Sequence, residues 1–407
     1  MVKNPLTVAQ KEAKLFRHVQ FIYELELGLW ELSSLGAKYV TGDGDLRNIF
    51  LLDVADEMTL LRRTAYFERI GDRISDYAII TSKNRTRSIN QYLTHWIYPY
   101  KGKFHPQMVR ALLNIIGLKP QETVLDPFIG SGTTALEAQL LGINCIGFDI
   151  SPLCVLQTRV KTESLWVLDR IQEAKEQVLS AVKPSLFKGS VPMSVTTAIE
   201  QIQDEQVRNF YKLAELLAHS DVVRRKREFV PSFIRNLQLM LASVRDYAQV
   251  VKELGLQLGR VDIRQGDARY LPLPDESVDG IITSPPYSIA LDYVANDAHA
   301  LKVLGYDLKE LREQFIGVRG IGAKRLALYN EDMVVALSEM YRVLKPNRYL
   351  VLVLGNATYQ GKEVKTVEFV TDVCRQMGLD IVRSIEKTIF GLYNVMQSEK
   401  ILVFRKG

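Results

Sequence analysis

Residues 124–149 constrain the fold more than any other stretch of this chain. Val124-Leu125-Asp126-Pro127-Phe128-Ile129-Gly130-Ser131-Gly132-Thr133-Thr134 reads as a strand, a glycine turn and the start of a helix. Cys145-Ile146-Gly147-Phe148-Asp149 reads as a second strand that ends in an acid. Gly130 and Gly132 permit a tight turn and close backbone approach to a ligand. Strand, turn, helix, strand and acid in register predict a doubly wound α/β sheet, with Asp149 placed to hold a ribose diol. A nucleoside-triphosphate loop needs Gly-Lys-Ser/Thr, and the absence of lysine from this turn weighs against that class.

A second motif stands far along the chain. Val278–Ile282 is a short apolar run that stops at Thr283-Ser284-Pro285-Pro286-Tyr287. Proline cannot donate to a strand ladder and restricts the residue before it, so the strand ends abruptly in a stiff corner. Such a corner aims the Ser284 hydroxyl, nearby carbonyls and the Tyr287 ring at one spot, which suits a flat, amino-bearing base taken out of its stack. Standing alone, the corner reads first as a Pro-Pro turn at a strand end with a packed tyrosine. Beside the glycine turn it reads as a site.

Together, Asp-Pro-Phe-Ile-Gly-Ser-Gly-Thr-Thr and Thr-Ser-Pro-Pro-Tyr resemble the S-adenosylmethionine-dependent amino-methyltransferases that act on exocyclic nitrogens of nucleic-acid bases. That family writes its catalytic corner as Asp-, Asn- or Ser-Pro-Pro-Tyr, and the serine form after threonine looks most like the DNA cytosine-N4 branch. The resemblance covers roughly residues 98–160 and 258–405. It implies S-adenosylmethionine as cofactor and a Rossmann-like methyltransferase sheet. It places Asp126, Pro127, Phe128, Gly130, Ser131, Gly132, Thr133, Asp149 and Ile150 around the cofactor. Lys103-Phe104-His105-Pro106-Gln107 looks like the family segment that closes over the methionine end, which puts Phe104 and His105 in the pocket wall. Asp267 and Ala268, in Gly266-Asp267-Ala268, stand where the family's acid accepts from the adenine amino group.

Composition permits this reading without requiring it. A chain of 407 residues with 47% hydrophobic content can hold one large domain and a smaller one. No apolar run is long enough to span a bilayer, and the first residues lack a signal-peptide pattern, so a cytoplasmic location is expected. The three cysteines show no Cys-x-x-Cys spacing, which indicates neither a disulfide framework nor a metal site. A net charge of +5 is mildly basic and compatible with a polyanion partner through local patches.

Four segments follow. Residues 1–97 predict a small α+β unit: a helix near Lys11–Val19, a helix through Leu25–Trp30 stopped at Gly36, a strand Asn48–Val54 and a helix Met58–Ile70 ended by Gly71. This order hints at a ferredoxin-like piece and resembles the N-terminal unit of archaeal tRNA guanine-N2 methyltransferases. Residues 98–163 form the cofactor half of the core. Residues 164–258 read as a helical insert interrupted at Pro184 and Pro192, a candidate for target recognition. Residues 259–407 form the catalytic half, with helices near Ala295–Leu304 and Asp332–Val343. They end in an antiparallel pair, Asp380–Ile389 with Lys400–Arg405.

Candidate nucleic-acid contacts are basic. Arg224-Arg225-Lys226-Arg227 in the insert suits phosphates, which position rather than specify, although such a run is also an ordinary solvated helix face. The glycine-rich link 315–325, with Arg319, Lys324 and Arg325, reads either as a lip over the substrate or as a plain connection. Basic residues interleaved with rings over 81–103 (Arg85, Arg87, Tyr92, Trp96, Tyr98, Tyr100) suit a nucleic-acid strand or an aromatic cover over the cofactor.

The chemistry asks for positioning. An exocyclic amine is a poor nucleophile because its lone pair is delocalised into the ring. Ser284 and the Pro285 carbonyl are candidate acceptors that hold its hydrogens out of plane, and Tyr287 is placed to stack on the base, with Pro286 stiffening the corner. The expected activity is site-specific DNA cytosine-N4 methylation of the restriction-modification kind, with DNA favoured over tRNA as partner. A tRNA guanine-N2 methyltransferase and a non-catalytic nucleic-acid-binding protein are the alternatives.

Overall fold

A computed structural model describes residues 11–42, 45–86, 88–182, 194–288, 292–387 and 396–407. Arg87, Pro184, Pro192 and the end of the expected strand at Ile389 lie outside the described residues.

The N-terminal unit begins with a strand, Lys11–Leu15, where the sequence suggested a helix. The reason is a period of two: Ala13 and Leu15 face inward while Glu12 and Lys14 are exposed. Helix Ile22–Ser34 follows and stops at Gly36, whose φ is +80°. Strands Ala37–Gly42 and Asp45–Val54, helix Glu57–Arg63 and strand Phe67–Ile70 complete a β-α-β-β-α-β order. The strands pair antiparallel in the order 37–42, 45–54, 11–15, 67–70, then the short 73–74.

The expected long helix 58–70 ends at Arg63. Glu31, fully buried, draws the chain out of the helix there, accepting from Thr64 Oγ1 at 3.0 Å and from the amides of Ala65 and Tyr66. The same carboxylate accepts 2.7 Å from Asn114 Nδ2 on the first core helix, Pro106–Ile115, and so ties the two units together.

The core is a mostly parallel sheet. Its strands lie in the order Leu379–Lys387, Met396–Lys406, Leu344–Tyr359, Val278–Thr283, Thr123–Asp126, Asn144–Asp149, Val261–Gln265. The last five are mutually parallel, and the final hairpin is antiparallel. Every residue of Val278–Thr283 is buried, as a central strand covered on both faces requires. This is a doubly wound Rossmann-like sheet. The strand ends carrying Asp126, Asp149 and Thr283 all lie along its carboxyl edge, where open α/β sheets bind ligands.

The described residues of 164–258 are mostly helical, chiefly Leu168–Ser180, Glu205–Arg225 and Phe229–Leu254. Phe210, Leu213, Phe233 and Met240 form their apolar centre, which runs on into Val294, Leu301, Leu311 and Val318 of the catalytic half. Two details there differ from the sequence reading. The 295–304 helix is broken at Asp297, and the helix expected from Asp332 starts at Ala323, which shortens the glycine-rich link to 315–322. Among the described residues no helix is long and apolar enough to cross a membrane, and all three cysteines are buried and free.

Candidate active site

Two adjoining cavities open along the carboxyl edge of the sheet. One is lined by Pro127, Phe128, Asp149, Ile150, Asp267 and Ala268, with Gln314, Phe315 and Ile316 closing it. The other is lined by Phe104, Asp126, Gly130, Ser131, Thr133 and Tyr287, among others. Tyr100, Phe128, Ser284 and Tyr293 wall both. The glycine turn and the Ser-Pro-Pro-Tyr corner, about 150 residues apart in the chain, therefore face one cleft.

Backbone geometry explains the turn. Gly130 and Gly132 adopt φ of +51° and +79°. A Cβ at Gly132 would sit 2.7 Å from Thr158 side-chain atoms, and one at Gly130 would meet the Tyr100 ring at 3.2 Å. Only glycine fits between the following helix and the aromatic cover.

Asp126 is the hub. Its Oδ1 accepts from Thr283 Oγ1 at 2.6 Å and from the Phe128 amide at 3.1 Å, and its Oδ2 accepts from Thr134 Oγ1 at 2.7 Å. Asp149 braces the turn in a similar way, accepting from the Gly130 amide at 2.9 Å and the Ser151 amide at 2.8 Å. Burial pushes both carboxyls up to about 6. Each still has lone pairs that these bonds do not use.

At the corner, Ser284 Oγ donates to the Val353 carbonyl at 2.8 Å. Its proton is thus committed, and the oxygen presents lone pairs to the cleft as an acceptor. The Tyr287 hydroxyl donates to Glu399, which also pairs with Lys387. These contacts lock the ring against the closing hairpin. Pro286 lines the first cavity, whereas Pro285 is buried behind the corner and lines neither.

Other expected residues sit differently. Phe104 lines the second cavity, but His105 lines neither; it precedes helix Pro106–Ile115, and burial holds its imidazole neutral with a pKa of about 3. Asp267 faces the first cavity, yet both its oxygens accept from Arg269, which also reaches Asp332. Sequence reasoning missed Tyr293 altogether and placed Tyr100 only within an aromatic segment. Their rings stack at 6.3 Å over the cleft.

The basic run needs correcting as a free patch. Arg224 bonds Asp297 and the Asn296 carbonyl, and Arg225 and Arg227 pair with Asp221. Lys226 ends helix Glu205–Arg225 with φ +55° and is exposed. Arg319 is doubly bonded to Asp332, and Arg325 donates to the Gly317 carbonyl at 2.6 Å. Lys324 is exposed. Most of these cations hold the fold, because carboxylates or carbonyls stand within reach of each.

Comparison with known proteins agrees with this geometry. The family described as DNA methylase matches residues 29–159. The chain is 26% identical over 280 residues to the Type II methyltransferase M.BsoBI of Geobacillus stearothermophilus, covering 55% of each chain. It is 34% identical over 125 residues to the Type II methyltransferase M.MjaII of Methanocaldococcus jannaschii, covering 28% of this chain and 22% of that one. A tRNA (guanine(10)-N2)-dimethyltransferase of Methanocaldococcus jannaschii is 28% identical over 196 residues, 47% of this chain and 52% of that protein. The chain thus spans about half or less of the length of these relatives. On its glycine turn, its serine corner and these matches, the chain is similar to the DNA amino-methyltransferases over part of its length.

Proposed function

We propose that this protein transfers a methyl group from S-adenosylmethionine to the exocyclic amine of a DNA base, cytosine N4 before adenine N6, as a site-specific modification enzyme. The observation that carries this reading is the Asp126–Thr283 bond, which holds the glycine turn and the Ser-Pro-Pro-Tyr corner on one cleft. The residues present suit the cofactor. Asp149 retains lone pairs for a ribose diol, Phe128, Ile150 and Ala268 offer apolar walls for a purine, and the turn approaches without side chains. When bound, the cofactor supplies an electrophilic sulfonium methyl.

The chain's own work is then orientation. Ser284 accepts from the amine, turning its lone pair away from the ring and toward the cofactor cavity. Tyr287 stacks on the base, replacing roughly 1–3 kcal/mol of lost stacking. The neutral serine is a weaker acceptor than a carboxylate and fits positioning rather than proton abstraction. Tyr100 and Tyr293 keep water from the reacting atoms. Nucleic acid would approach along a groove lined by Trp96, Arg224, Arg225, Arg227 and Arg235, where three guanidinium groups share Asp221 and Arg224 is held by Asp297.

A second reading, RNA guanine-N2 methylation, is favoured by the tRNA-modifying relative and by the β-α-β-β-α-β unit ahead of the core. Methyl-labelled S-adenosylmethionine incubated with the protein and either duplex DNA or bulk tRNA separates the two. Label in DNA supports the first reading, and label only in tRNA supports the second.

A further inference from the structure

Helix Pro152–Glu163 lies beneath the glycine turn, and three of its side chains reach up to the turn's carbonyls. Gln157 Nε2 donates to the Gly130 carbonyl at 3.1 Å, and Thr158 Oγ1 reaches the same oxygen at 3.4 Å. Lys161 Nζ donates to the Ser131 carbonyl at 2.7 Å. None of the three side chains meets solvent, Lys161 being 1% exposed. With its carbonyls drawn down into the helix, the turn lines the second cavity through Gly130 and Ser131.

Lys161 is an unusual group to bury. Its other polar neighbour is Gln157 Oε1 at 3.5 Å, and among the described residues no carboxylate lies within ion-pair reach of it. A second, half-buried ammonium, Lys103, donates to the carbonyls of Asn90 and His95. Nearby Glu137 is already held by His95 at 2.8 Å, Tyr92 at 2.5 Å and Arg110 at 3.4 Å. Enclosing an ammonium without a counterion is costly, and no described carboxylate stands within ion-pair reach of Lys161 to stabilise its charged form. Burial and Lys103 press the Lys161 ammonium well below the ordinary lysine range. An anionic ligand group on the other side of the Ser131 peptide would relieve that state.

We infer that Lys161, with Gln157, is a positioning residue for the cofactor: it holds the Gly130–Gly132 turn and supplies the counter-charge for the carboxylate of the cofactor's methionine end. This rests on the S-adenosylmethionine reading above. S-adenosylhomocysteine bears that carboxylate, whereas 5′-methylthioadenosine keeps the adenosine and thioether and lacks the amino-acid end. Calorimetric titration of the full chain with both compounds tests the inference. Lys161→Met should weaken S-adenosylhomocysteine by about tenfold or more and leave 5′-methylthioadenosine within about threefold of wild type. Equal losses for the two ligands would mean a collapsed turn, and no loss for either would mean an idle lysine; both overturn the inference.

If Lys161→Met does not fold, wild type carries the test with decarboxylated S-adenosylhomocysteine, expected to bind about tenfold or more weaker than the parent. Equal binding of that pair would leave the buried charge without a carboxylate to serve and would overturn the inference. Wild-type protein that binds 5′-methylthioadenosine and not S-adenosylhomocysteine overturns the inference alone, whereas binding of neither removes the cofactor reading itself.

Discussion

Thr283 Oγ1 donates to Asp126 Oδ1 at 2.6 Å, joining the end of the catalytic strand to the end of the first cofactor strand. Both side chains are buried, so solvent cannot replace the bond. Thr283→Val keeps the shape and removes the donor. We expect it to cost about 1.5–3 kcal/mol of stability, the range for a hydrogen bond to a charged group. We also expect kcat to fall further than cofactor affinity, because the two halves of the site shift relative to one another. Denaturant melts and single-turnover rates on one preparation check this; an unchanged kcat would separate the bond from catalysis.

Cofactor affinity should depend on pH through Asp149. Burial raises its carboxyl to about 6 in the empty site, and only the ionised form accepts two ribose hydroxyls. Affinity for S-adenosylhomocysteine should be flat above about pH 7 and fall about tenfold per unit once the pH drops below that pKa. Asp149→Ala should lose the affinity and its pH dependence together. Calorimetry across that range reads both.

Ser284→Ala and Tyr287→Ala should cripple methyl transfer while leaving cofactor affinity nearly intact, because their partners are on the base. Tyr287→Phe keeps the ring and loses only the bond to Glu399, so it should retain most of the activity that Tyr287→Ala abolishes. Stacking worth roughly 1–3 kcal/mol separates the two tyrosine variants. Full single-turnover activity in both alanine variants would remove the corner from catalysis.

Exchanging Arg225, Lys226 and Arg227 for glutamine should flatten the dependence of log DNA affinity on log salt, by about 0.9 for each phosphate no longer neutralised. The total should fall short of three phosphates, since Arg225 and Arg227 already share Asp221. Asp221→Asn should steepen the slope. Arg224 holds Asp297 instead, so its replacement should appear first in thermal stability. Fluorescence anisotropy at several salt concentrations measures the slopes.

The strands Thr123–Asp126, Asn144–Asp149 and Val278–Thr283 were legible to within a residue, because apolar runs there are bounded by proline, glycine or acid. The N-terminal elements were less so. Leu15 and Phe67 belong to short strands whose period is obscured by charged neighbours, and Glu31 ends a helix from about thirty residues away. The site was legible where a motif carries it. Tyr293 and Glu399 belong to no motif; Tyr293 reaches the cleft, and Glu399 the Tyr287 hydroxyl, only through tertiary packing, and nothing local to Lys161 marks it as buried. One misread signal was local: Asp221 stands four residues before Arg225, the helical spacing of an ion pair.

Nucleoside analysis of modified DNA tests the central claim most directly. Plasmid DNA incubated with the protein and S-adenosylmethionine, digested to nucleosides and resolved by mass spectrometry should yield N4-methylcytosine at a fixed sequence, absent with Ser284→Ala. DNA without any methylated base, alongside N2-methylguanine in tRNA treated in parallel, would contradict the account.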